Sequence, residues 1–372
     1  MRIFTLLLPM AFLLPAAYAQ KINDVVLKKD GSRIRGLEIT EFLLSGVRGK
    51  RGNDPYELAA HNIVDIEWSD IPEEFLSGKA AMVRGDFQAA VQLFGAVNSD
   101  RPLVKADAEF YKIKSAVAAI GNDKSAAATA AEHAKSWLSS NANHWRTPEA
   151  MLLEGRAERL AGTAGTATIT LKDLEERAIT EGYGGVWSAR AKYELALTSI
   201  ADGKGSQARS QFKSAGNAAR DAIAGASTAD KAELQAIATL SRVGEGETYL
   251  IDKDFKKAEQ FFRQLASASE PALKAAGYAG EGEAIFQSAA ASKDPNALRR
   301  AQLALAKASV LDASNSEASA KSNYYLGKCL LLLGPQKEGD RFKQRAQEYF
   351  TICITSYPST RWASLAKAEV SK

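Results

Sequence analysis

Three histidines and two cysteines are the side chains of this 372-residue chain best suited to hold a metal or drive nucleophilic chemistry. Neither set has the spacing for it. His61, His133 and His144 are far apart, with no ligand pattern between them, and each reads as a lone surface histidine. Cys329 and Cys353 lie in no recognisable nucleophile signature. Two glycine pairs, Gly244-x-Gly246 and Gly280-x-Gly282, could open a phosphate loop, but neither completes G-x-G-x-x-G or follows a strand pattern, so both read as helix-packing positions. Gly327-Lys328-Cys329 lacks the upstream glycine of a P-loop, and there is no nucleophile elbow and no H-E-x-x-H. No catalytic, cofactor-binding or metal-binding residue is nominated, and a non-catalytic protein is expected.

The elements that would position any site follow from composition. With 46% hydrophobic and 25% charged residues the chain is an ordinary globular one. Its net charge of +4 is too small for an electrostatically driven nucleic-acid binder. Alanine is the outlier, at 67 residues, and runs such as Ala126 to Ala131 imply helices packed closely through small side chains. The first residues read as an export leader: Arg2, an apolar run from Ile3 to Leu14, Pro15, and the small-x-small site Ala17-Tyr18-Ala19, with cleavage before Gln20. Residues 1–19 are thus assigned as a signal peptide, and the remainder is expected in the periplasm or outside the cell, with no transmembrane segment.

Residues 20–70 read as a small β-barrel-like module of four or five short strands. Val25 to Leu27 lead into the turn Asp30-Gly31, and Arg33 to Ile39 return in alternation. Turns at Ser45-Gly46 and across Gly49 to Asp54 separate Glu41 to Leu44 and Val47 from Tyr56 to Trp68, where Ile63, Val64 and Ile66 supply a strand. Arg48, Lys50 and Arg51 read as a basic, solvated loop. The phrase from Val26 to Gly36 resembles the opening of the SH3-like or Sm-like modules at the front of secreted bacterial repeat proteins. Eight basic residues from Lys21 to Arg51 are balanced by eight acidic ones from Asp24 to Glu67, which argues against RNA.

Residues 71–372 carry helical patterns that repeat. Gly78, Gly85, Ala90, Phe94 and Pro102 follow one another at intervals of seven, five, four and eight. Ala196, Gly203, Ala208 and Phe212 keep those intervals, as do Gly246, Ala258 and Phe262. Gly327 and Gly334 repeat the first interval, and an insertion from Pro335 to Phe342 displaces Ala346, Phe350 and Pro358. This spacing, with the turn Arg84-Gly85-Asp86-Phe87, resembles the tetratricopeptide repeat family: small residues where two antiparallel helices cross, an aromatic between them, a proline at the end. Tyr357 to Ala363 is similar to the inter-repeat joint of envelope repeat proteins. The resemblance implies a mainly α chain, a solenoid of about six helical pairs behind the β module, with degenerate units at Phe110 to Trp137, Met151 to Ile179 and Gly282 to Leu311.

A solenoid of this kind leaves a concave face free to bind a peptide. Family spacing puts Phe75, Lys79, Tyr193, Leu197, Val243, Glu247, Tyr324 and Lys328 on that face. The function expected is an exported scaffold holding a protein or peptide partner, in envelope organisation. Self-assembly with no foreign ligand is the alternative. No cofactor and no nucleic acid is expected. The two cysteines are offset by about six residues between antiparallel helices, roughly 9 Å along the axes, which disfavours a disulfide and predicts two buried thiols.

Overall fold

A computed structural model describes residues 22–311, 316–334 and 339–371. The signal-peptide assignment, and the first half of the insertion after Gly334, lie outside the described residues. Five strands come first: β1 (Asp24–Lys28), β2 (Arg33–Leu43), β3 (Gly46–Arg51), β4 (Asp54–Ala59) and β5 (Ile63–Glu67), the last preceded by a 3-10 turn at Ala60–Asn62. They form one antiparallel sheet in the order β4-β3-β2-β1-β5. The turn at Asp30-Gly31 is as expected, with Gly31 at φ +82°.

One expectation for the strands fails. Gly49 lies inside β3 rather than in a turn, while β2 runs through Glu41 with an irregularity between Ile39 and Glu41. Gly49 is there because β2 passes so close that a side chain would collide with the Glu38 carbonyl. Arg48, Lys50 and Arg51 are therefore strand residues and not a loop. Arg48 spans its neighbours, pairing with Glu41 on β2 (2.9 Å) and Glu57 on β4 (3.3 Å).

Among the described residues all further regular structure is helical: α1 (Glu73–Val83), α2 (Phe87–Gly95), α3 (Pro102–Ala119), α4 (Lys124–Ser140), α5 (Thr147–Ala161), α6 (Ala164–Thr180), α7 (Gly185–Ala201), α8 (Gly205–Ala222), α9 (Thr228–Ile251), α10 (Phe255–Leu265), α11 (Pro271–Ala289), α12 (Pro295–Leu311), α13 (Ser316–Leu333), α14 (Gly339–Ser356) and α15 (Arg361–Val370), with one 3-10 turn after α8. Starts follow local chemistry. Asp86, Asp123, Ser227, Asp254 and Thr360 cap the helices they precede through their side-chain oxygens, and prolines stand in the first turns of α3, α5 and α11.

Each helix packs on the next, and from α3 onward every odd-numbered helix also touches the following odd one. Seven consecutive pairs and a fifteenth helix result, rather than about six pairs. Where the helices of a pair cross, a small residue faces a large apolar one. A side chain at Gly246 would come within 2.5 Å of the Phe262 ring. Gly78 meets Phe94 and Gly155 meets Leu171 in the same way, and Ala196 clusters with Ala208 and Phe212. In each of these the partner follows sixteen residues later; in α11 with α12 and α13 with α14 the separation is twenty-three, Gly282 to Leu305 and Gly327 to Phe350. Relative to Gly246 and Phe262, the extra residues between Gly282 and Leu305 are shared among α11, the connecting turn and α12, and the crossing contact survives. Ala90, Ala258 and Ala346 are fully buried beside these contacts, and Gly85 (φ +77°) makes the turn into α2.

The β module and the first helices share one core. Val26, Leu37, Val47 and Ile66 belong to the same apolar cluster as Phe75, Phe110, Trp137 and Leu153.

Candidate ligand groove

The odd helices set the site. Residues three or four apart share a helix face, so Tyr193 and Leu197 on α7, Leu240, Val243 and Glu247 on α9, Ala276, Ala279 and Glu283 on α11, and Ala318 and Lys321 on α13 turn toward a common space. They enclose an open cavity of about 490 Å³, with Arg361 of α15 at one end. The alanines of α11 and α13 give it room. Its walls are mostly apolar, and Leu240 and Ile251 stand 49% and 46% exposed there, large side chains with no partner.

One end is charged. Lys321, 6% exposed, lies between Glu247, with which it makes a close ion pair, and Glu283 at 2.7 Å. Burial pulls the Lys321 ammonium down in pKa, but the two carboxylates more than offset this and leave it raised. Tyr325 donates to Glu283 Oε1 (2.7 Å), Gln287 donates to the Tyr325 hydroxyl (2.9 Å), and burial beside Glu283 pushes the Tyr325 phenol far up. Trp362 Nε1 donates to Glu317 (3.0 Å). Arg361 stacks on the Trp362 ring at 4.3 Å and reaches Glu247 only at 3.5 Å, remaining 63% exposed along its side chain. Tyr193 packs on Phe212, with burial raising its phenol to about 12.

Of the eight residues expected on the concave face, Tyr193, Leu197, Val243 and Glu247 line this cavity and the other four do not. Phe75 is 2% exposed, wedged between Phe94 and Tyr111. Lys79 is held by Asp65 of β5 and by the Tyr111 hydroxyl (2.7 Å). Both are closed off because the β module packs on that end of the helices. Tyr324 is buried under Trp362 and Phe350, and Lys328 pairs with Glu369 at 2.9 Å. Here α15 is the cover, and the cavity meets α13 at Lys321, two turns nearer its start. Glu283, Lys321, Glu317 and Arg361 went unnoticed in sequence. The offset that placed Val243 and Glu247 around Gly246 lands on Ala279 and Glu283 when applied to Gly282, so half the α11 wall was within reach.

The other buried charges are concentrated where sheet and helices join. Arg146, 3% exposed, donates to Asp107 (2.8 Å) and to Asp65 (2.7 Å) and Tyr111 (2.9 Å). Trp68 Nε1 donates to the other Asp107 oxygen at 2.9 Å. Burial opposes ionisation of Asp65, but Arg146 and Lys79 outweigh it and hold the carboxyl at about 2. Asp24, fully buried, receives both Arg101 terminal nitrogens, at 2.6 and 2.9 Å. His144 is not the surface histidine expected: it is 2% exposed among Phe42, Trp137 and Trp145, its Nδ1 accepts from the Arg146 backbone, and burial with Arg146 nearby depresses it to about 2. Beyond the junction, Lys29 of the β1–β2 turn reaches across to Asp230 in the first turn of α9 at 2.9 Å. Both residues line a second cavity of about 540 Å³, whose walls also carry the pairs Lys114 with Glu149 and Arg190 with Glu233.

The glycine pairs lie within α9 and α11, pressed on Phe212, Phe262 and Leu305, which is a packing role. Among the described residues no group of histidine, cysteine, aspartate and glutamate is arranged to hold a metal ion, and no helix is long and apolar enough to cross a membrane. Cys329 and Cys353 are free and buried, and burial raises their thiols to about 12 and about 11. No protein-family model matches the chain, and no curated protein matches it.

Proposed function

We propose that this chain is an exported, non-catalytic scaffold whose helix pairs form a tetratricopeptide-like solenoid and whose cavity between α7, α9, α11 and α13 takes a peptide segment of a partner protein. The observation carrying this reading is the cavity itself: an apolar space of about 490 Å³, bounded by first helices of successive pairs, with large apolar side chains exposed and a polar cluster at one end. Continuous contact between the odd-numbered helices and the crossing contacts at fixed spacing support the solenoid. The β module, which resembles SH3-like modules, acts as a cap on the first pairs and occupies the end of the face where Phe75 and Lys79 lie.

Selection of a random peptide library on the full chain tests the reading. Enriched sequences should be apolar, and Leu197→Arg, with an unchanged circular dichroism spectrum, should abolish their binding. Enrichment no better than on heat-denatured protein would sink it. Export is tested separately: N-terminal sequencing of protein recovered from its native cell should begin within about two residues of Gln20, and an intact Met1 would refute the leader.

A further inference from the structure

At the closed end of the cavity a buried carboxylate, Glu283, and a partly exposed one, Glu247, share one buried ammonium. Glu247 and Glu283 both pair with Lys321, Glu283 and Lys321 being each 6% exposed, so the cluster carries one negative charge more than it neutralises. Excess charge at a low-dielectric wall is costly, and the cluster is relieved by any second cation that can approach. Among the described residues the cation lining the cavity besides Lys321 is Arg361, and it does this poorly: it lies 3.5 Å from Glu247, is held on the Trp362 face and is largely in water. Glu283 Oε2 makes no hydrogen bond with proper geometry, and Tyr325 already occupies the other oxygen.

Building on the peptide-binding reading, we infer that the ligand is an apolar segment bearing one basic residue, whose side chain enters the closed end and completes the Glu247–Lys321–Glu283 cluster while its apolar neighbours cover Leu240 and Ile251. An ammonium or guanidinium supplies donors for both carboxylates, and its stem crosses apolar wall at little cost. An acidic residue in the same place would add a second unpaired charge, so the cluster selects against anionic segments as well as for cationic ones.

Fluorescein-labelled peptides of leucine and alanine on a glutamine frame, identical except for arginine, norleucine or glutamate at one central position, test this by anisotropy on the full chain. The arginine peptide should bind about tenfold more tightly than the norleucine one and the glutamate peptide most weakly. Arg361→Ala removes the competing cation while leaving Glu247, Lys321 and Glu283 in place; it should raise the preference for the arginine peptide over the norleucine one about threefold. Glu247→Gln should erase the preference for arginine. Equal binding of arginine and norleucine peptides, or tightest binding of glutamate, overturns the charge assignment while leaving an apolar groove. Binding of none of the three overturns the groove itself, and the charge assignment with it.

Discussion

Single side chains in this protein carry consequences that burial dictates. Glu154 on α5, 8% exposed and close to Glu158, Glu132 and Asp173, is pushed up to about 7, first by burial and then by Glu158. The folded chain therefore keeps a proton that the unfolded chain has lost above the ordinary glutamate range, so stability should fall as pH rises from about 4.5 to about 7. Glu154→Gln should remove that decline: near the parent at pH 4 and more stable by about 1–3 kcal/mol at pH 8, read by denaturant midpoints. Asp65 has the opposite sign. Its carboxyl is held at about 2, so the stability it contributes is present above the ordinary aspartate range and is lost as pH falls from about 4 to about 2. Lys253 sits at φ +59° in the turn before α10, where α2 is preceded by Gly85 at φ +77°. Lys253→Gly should stabilise by about 0.5–1 kcal/mol, and an unchanged melting point would mean the strain is relieved some other way. Iodoacetamide should label neither Cys329 nor Cys353 in the native protein and both after denaturation without reductant. A denatured chain that takes up none would show a disulfide.

At the scale of elements, the spacing of small and aromatic residues was enough to place the helix pairs, because a crossing point imposes a steric demand that one residue must meet locally: only a glycine or alanine lets Phe94, Phe212, Phe262 or Phe350 lie across it. Ala258→Phe should cost about 1–3 kcal/mol by overpacking beside Phe262, measured as a lowered denaturant midpoint at constant slope. What covers a helix face was not legible in the same way. Phe75 and Tyr324 have the same offset from their glycines as Val243 from Gly246, yet the first is closed by the neighbouring rings and the β module and the second by α15, elements whose position depends on distant pairs such as Asp65 with Lys79 and Lys328 with Glu369. The strand error at Gly49 has a related origin: a glycine serving a close backbone approach looks the same in sequence as one making a turn. Arg146 shows how much rests on the junction. Arg146→Met would strand the buried Asp107 without its cation and leave Asp65 to Lys79 alone, and a loss of about 3–5 kcal/mol is expected.

Taken as a whole molecule, the chain has a core that is continuous from the sheet into α5, followed by smaller clusters bridging later helices in succession. The single ion pair of Lys29 with Asp230 joins residues 201 positions apart. That pair sets an order of events for a chain that leaves a ribosome or a translocation pore amino end first. The sheet and the first five helices bury one another using only residues up to Ala161, so they can fold while α9 is still unmade. The contact to Asp230, 201 positions from Lys29, must wait until α6 to α9 have followed, and loop closure over that separation makes it late. The second cavity is accordingly finished late, when α9 brings Ala229, Asp230 and Glu233 to walls already built by the sheet and the helices up to α7.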